Sequence, residues 1–128
     1  MWHPTVRDVM TAHEVIKETS KVRTDGFKRS QSSGLKNIGN VLEEARDEED
    51  IYLSAAVYLK KLIEKHPFND GNKRTAVIVT TRFLEENNKT FKPHKLQETE
   101  EIYNVIKWEL NSMSIEETAY WIKKGEIK

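Results

Sequence analysis

Glycine and proline let a chain turn, and here they are few and bunched: five glycines and three prolines in 128 residues. Gly26, Gly34 and Gly39 fall in one region, Pro67 and Gly71 in a second, and Pro93 in a third. Between these breaks the apolar residues recur three and four apart, the period of a helix face rather than of a strand. Such a chain has to fold as helices joined at a handful of places. The length lies below the ~150 residues usual for one domain, so a single domain over 1–128 is expected. The 37% of apolar residues supply one core and not two.

Local signals place the helices. Thr5 and Asp8 have the spacing of a capping box and predict a first helix with Val6, Val9, Met10, His13 and Ile16 on one face. On that apolar face His13 reads as a core or rim residue with its polar atoms satisfied. The polar stretch 20–37, with Ser30, Gln31, Ser32, Ser33 and Gly34, reads as a loop or irregular flap. Ile38, Val41, Leu42 and Ala45 then supply a short amphipathic helix. Asp50 is placed to cap a helix over 51–65, striped by Leu53, Ala56, Leu59, Leu62 and Ile63. Lys60, Lys61 and Lys65 line its solvated side. Pro67 disfavours helical geometry at His66 and so predicts a break. A helix from Asn72 to Asn87 follows, and its run Ala76-Val77-Ile78-Val79, apolar on every side, marks it as central and buried.

Thr90 and Phe91 read as a short extended piece, and Glu98–Ser112 as a helix by Ile102, Val105, Ile106 and Trp108. Ser114 and Glu117 form a second capping box that opens a last helix. Trp108 and Trp121 read as packing residues and Trp2 as the exposed tryptophan. The sum is an all-α, compact bundle of about six helices around a central buried helix.

Charge and composition narrow the function. The 21 basic and 21 acidic residues cancel, without the basic footprint of a nucleic-acid binder, so no direct nucleic-acid partner is expected. Seven basic against four acidic residues precede residue 38, and six acidic against one basic fill 38–50, which reads as a solvated helix face and its end. The absence of cysteine excludes disulfides, thiolate metal sites and cysteine nucleophiles. No apolar run approaches the ~18 residues of a membrane span, and Met-Trp-His-Pro-Thr is not a signal peptide; the plain reading is a cytoplasmic protein with no membrane partner.

One segment concentrates polar chemistry: His66-Pro67-Phe68-Asn69-Asp70-Gly71-Asn72-Lys73-Arg74. A loop with proline and glycine runs straight into a helix N-terminus, where unsatisfied N–H groups and the helix dipole favour an anion. Gly71 lets a phosphate approach bare backbone. Asn72 can cap or donate to a phosphate oxygen, and Lys73 and Arg74 add cationic donors, arginine gripping phosphate bidentately. Asp70 is a hard oxygen ligand suited to Mg²⁺ held jointly with substrate phosphates. His66 is a base near physiological pH, able to take a proton from an attacking hydroxyl. Phe68 reads as the apolar anchor of the loop. Base, metal ligand and phosphate cradle are the parts of phosphoryl or nucleotidyl transfer.

The segment resembles the signature of the Fic/Doc superfamily, H-x-F-x-(D/E)-G-N-(G/K)-R, at every fixed position. Looser likenesses to the short death-on-curing (Doc) branch extend over nearly the whole chain, through Gly34–Gly39 and the terminal Ser-Ile-Glu-Glu-Thr-Ala-Tyr-Trp. The resemblance implies His66 as general base, Asp70 as Mg²⁺ ligand, and Gly71, Asn72 and Arg74 around the phosphates of ATP, beside the Lys73 that the residues themselves suggest. It implies a flap within 24–37 that docks the target protein as an added strand.

Two departures favour one chemistry. The AMP-transferring pattern has glycine where this chain has Lys73, and a second arginine where it has Val77. Lysine at 73 is similar to Doc, which presents the γ-phosphate of ATP to a protein hydroxyl, so phosphorylation of a Ser or Thr is expected. The target class this implies is a translation component, and the role that of a toxin. Gly71, where the Doc pattern tends to alanine, keeps AMP transfer as the alternative; a non-catalytic binding module is a third. An inhibitory helix of the pattern (S/T)-x-x-x-E-(G/N) is not matched, because Ser112 and Glu116 are followed by Glu117, so restraint by a separate antitoxin protein is expected.

Overall fold

The structure is a computed structural model and describes residues 1–20 and 31–128. Seven α-helices run through the described residues: α1 (Val6–Ser20), α2 (Gln31–Arg46), α3 (Ile51–Lys65), α4 (Asn72–Glu86), α5 (Lys92–Leu96), α6 (Thr99–Trp108) and α7 (Ile115–Lys124), with a 3₁₀ turn at Leu110–Ser112 between the last two. The fold is all-α, as the apolar period requires.

The caps form where polar side chains were spaced for them. At α1 the Thr5 amide donates to Asp8 Oδ2 at 2.8 Å, and the Asp8 amide donates to Thr5 Oγ1 at 3.2 Å. At α3 one carboxylate oxygen of Asp50 accepts from the amides of Tyr52 and Leu53, at 2.8 and 3.1 Å. Each such cap contributes about 1 kcal/mol by satisfying donors that a helix cannot satisfy itself. Asn87 and Asn88 end α4, Asn88 in the left-handed region at φ 61°.

Packing centres on α3 and α4. α3 lies against α2, α4 and α7, and α1 covers α4. Residues Ser54–Lys60 are buried without a gap, so the middle of α3 is enclosed on all sides. α4 buries Ala76, Val77, Val79, Phe83 and Leu84 but shows Ile78 to the surface at 37% exposure, so its apolar run does not close around it. Tyr58 of α3 meets Phe83 of α4 edge-on at 5.0 Å, and Phe91 meets Trp121 of α7 edge-on at 5.7 Å. Aromatic side chains of this size stabilise by burial at about 1.5–3 kcal/mol each. Before α1, the Trp2 amide donates to Asn87 Oδ1 at 2.7 Å and Asn87 Nδ2 returns a bond to the Trp2 carbonyl at 2.8 Å.

Several expectations change. The stretch expected as loop continues as helix from Gln31, because α2 lies against α3 and packing outweighs the weak propensity of Ser32, Ser33 and Gly34. The remainder of the expected flap, 24–30, lies outside the described residues. At the expected extended piece Phe91 is indeed extended (φ −75°, ψ 93°), and it leads into an unexpected α5, a single helical turn with Pro93 near its start. Lys60 is not solvated: at 8% exposure its ammonium donates to the Leu110 carbonyl at 3.0 Å and pairs with Glu64 at 3.2 Å. Trp108 is 67% exposed, while Trp2 is half-buried with the Arg82 guanidinium 5.1 Å above its ring. Helix geometry explains Trp108, which sits 200° around the axis from Ile106 at 100° per residue.

Candidate functional site

α3 stops at His66, whose φ of 47° and ψ of 55° are left-handed. Glycine or asparagine usually fills such a position. An imidazole-bearing residue there carries a backbone strain of about 1–2 kcal/mol. Pro67 is buried directly after it and cannot continue the helix. The His66 side chain stays exposed and faces a cavity of about 300 Å³, shared with Ser33, Gly34 and Asn37 of α2, Glu64 and Lys65 of α3, and Pro67.

The loop then dips into the core and returns. Phe68 is fully buried. Its backbone is gripped at both ends by one side chain: the Phe68 amide donates to Asn72 Oδ1 at 3.0 Å, and Asn72 Nδ2 donates to the Phe68 carbonyl at 2.9 Å. Asn72 is itself buried, so its amide holds the loop to the first turn of α4. What it retains for a ligand is its main-chain N–H and the second amide hydrogen.

Asn69 and Asp70 are exposed at the top of the loop. Asp70 Oδ1 accepts from the Gly71 amide at 2.8 Å, and the Asp70 carbonyl meets His13 Nε2 at 3.0 Å. A carbonyl can only accept, so His13 carries its hydrogen on Nε2. The same imidazole stacks on Phe68, ring centres 3.8 Å apart and planes 5° from parallel. His13 is therefore the satisfied core histidine its position predicted. Its partner is what one helix face could not disclose: the loop 57 residues further on.

Gly71 turns the chain into α4 with φ 81°, open to glycine and strained for any other residue. Its N-cap, a glycine, makes no side-chain cap bond, and no acidic residue occupies the first turn. The first intrahelical bond runs from the Thr75 amide to the Gly71 carbonyl at 2.9 Å, so the N–H groups of Asn72, Lys73 and Arg74 precede the ladder and have no carbonyl of α4 to meet. Lys73 and Arg74 are exposed over them. On α6, burial pushes the Tyr103 hydroxyl above its ordinary value, and the Arg74 charge works against that rise. Val77, one turn on, points into the core.

This arrangement suits an anion that carries a hard cation. Among the described residues no group of three or more His, Cys, Asp or Glu side chains could enclose a metal. Asp70 is the loop carboxylate that could hold Mg²⁺ jointly with substrate phosphates and water.

The fold and site define an all-α domain whose one dense polar loop feeds a glycine-capped helix. The model of the Fic/DOC family matches residues 5–84, well over half of the chain, from the cap of α1 to nearly the end of α4. The chain belongs to the Fic/Doc family, a family of transferases acting on proteins. No curated protein and no solved structure matches it. No helix among the described residues is long and apolar enough to cross a membrane.

Proposed function

We propose that this chain is a Doc-like Fic protein, one domain over 1–128, that transfers the γ-phosphoryl group of Mg·ATP to a serine or threonine hydroxyl of another protein. In this reading it works in the cytoplasm as a toxin against a translation component, and a separate antitoxin protein restrains it. The observation that supports the reading best is a glycine-capped α4 terminus, with Lys73 and Arg74 exposed at its mouth and Val77 turned into the core. Position 77 thus offers no guanidinium to outer phosphates, and Lys73 fills the place of the glycine in the AMP-transferring pattern.

The residues divide the work. The N–H groups of Asn72, Lys73 and Arg74, with the two cationic side chains, hold and orient the phosphates. Asp70 would hold Mg²⁺, which when bound neutralises charge on the phosphate oxygens. The His66 imidazole takes the proton of the target hydroxyl as its oxygen bonds to the γ-phosphorus. The bond from that phosphorus to the bridging oxygen breaks, and ADP departs with the bonding electrons.

AMP transfer is the second reading, favoured by Gly71, whose left-handed backbone leaves no Cβ between the peptide and a phosphate. ATP labelled at the α- or the γ-phosphate, with Mg²⁺ and cell lysate, separates the two. Label on protein from the γ position alone is expected; label from the α position replaces the kinase reading with AMP transfer. Absence of transfer together with absence of ATP binding would leave a binding module. His66→Ala is expected to cut transfer at least ~100-fold and abolish growth arrest, with the helical circular-dichroism signal unchanged.

A further inference from the structure

We infer that His13 is a positioning residue for the Asp70 carboxylate and, on the functional reading above, for the Mg²⁺ that Asp70 would hold. The peptide between Asp70 and Gly71 is rigid and planar, so its C=O and N–H turn together. His13 Nε2–H holds the oxygen end at 3.0 Å, and Asp70 Oδ1 rests on the N–H end at 2.8 Å. Rotation of that plane would break the first bond and release the carboxylate in the same movement. Gly71, at φ 81° and without a Cβ, does little to resist such a rotation. The restraint comes from α1.

Packing alone does not account for an imidazole at this place. His13 is 4% exposed and lies flat on Phe68, a contact that a phenyl ring makes equally well and without burying a polar atom. The hydrogen-bond donor is what phenylalanine lacks, and its acceptor is the main chain of the one loop carboxylate suited to a metal. Groups that orient a metal ligand in this manner typically change metal affinity by ~10–100-fold when removed.

Two variants separate donor from ring. His13→Phe keeps the stack and removes the N–H; His13→Gln keeps an N–H donor and removes the ring. In the ligand-free protein, hydrogen exchange at the Gly71 amide is expected to quicken about tenfold in His13→Phe and to stay near wild type in His13→Gln. Calorimetry with Mg·ATP should show about tenfold weaker binding for His13→Phe and recovery in His13→Gln, whereas ATP with EDTA should bind all three proteins alike. Wild-type behaviour of His13→Phe in both measurements would overturn the inference. Equal losses in both variants would overturn it too, because the loop would then need the ring and not the donor. A wild-type chain that bound no Mg·ATP would sink the functional reading, and Gly71 exchange would decide the positioning role by itself.

Discussion

α4 and α7 begin in opposite ways. α7 opens on a complete capping box: the Ser114 amide donates to Glu117 Oε1 at 2.9 Å, and the Glu117 amide donates to Ser114 Oγ at 3.0 Å. Glu116 and Glu117 add negative charge to its first turn. The N-cap of α4 is a glycine without a side chain, and its first turn holds two cations and no acid. Helix dipoles favour acids at this end and disfavour bases, by about 0.3–1 kcal/mol each. α7 thus satisfies its own terminus, while α4 concentrates positive potential that nothing on its own first turn offsets. That terminus, at the end of a loop with an exposed histidine and aspartate, is where the proposed function places the phosphates of ATP.

Giving α4 the first turn of α7 should produce the largest effect. Lys73→Glu combined with Arg74→Glu is expected to weaken ATP binding at least ~100-fold by calorimetry, since two charge-assisted contacts are lost. The melting temperature should hold or rise, because acids now meet the dipole; a sharp fall would mean that the two cations serve the fold. Gly71→Ala comes next, at about 1–2 kcal/mol of stability in chemical denaturation, since alanine must take a left-handed backbone. Ser114→Ala should cost about 1 kcal/mol and leave ATP affinity untouched, separating the closed terminus from the open one.

The smallest effect is one of pH. The amide and hydroxyl of Ser114 hold the Glu117 carboxyl below its ordinary value of 4.5. Its stabilising effect is therefore complete above that value and fades as the pH falls through the lowered one. Glu117→Gln should flatten the wild-type loss of melting temperature below about pH 4.5, while melting curves that stay parallel through that range would show the box to be energetically idle.

Much of this was legible in the sequence because it is local. Thr5 with Asp8, Asp50, and Ser114 with Glu117 announce helix starts within four residues of the helices they cap, and the polar loop 66–74 lies on consecutive positions. What escaped depends on distant contacts. Ser32, Ser33 and Gly34 argue against helix at the start of α2, and distant packing, chiefly against α3, outweighs them. α5 is five residues long, too short for any period to register. Lys60 looked like a surface lysine because its acceptor, the Leu110 carbonyl, lies fifty residues away. The placing of His13 was readable; the loop that it grips was not.

The left-handed backbone at His66 has a consequence for anyone who engineers this chain. Folding alone would be better served by glycine at position 66, where the strain disappears. A library selected only for heat resistance would drift toward that replacement and return sturdier proteins stripped of the proposed base. Any stabilising campaign on this fold should therefore hold residue 66 constant, or score survivors for chemistry in the same round.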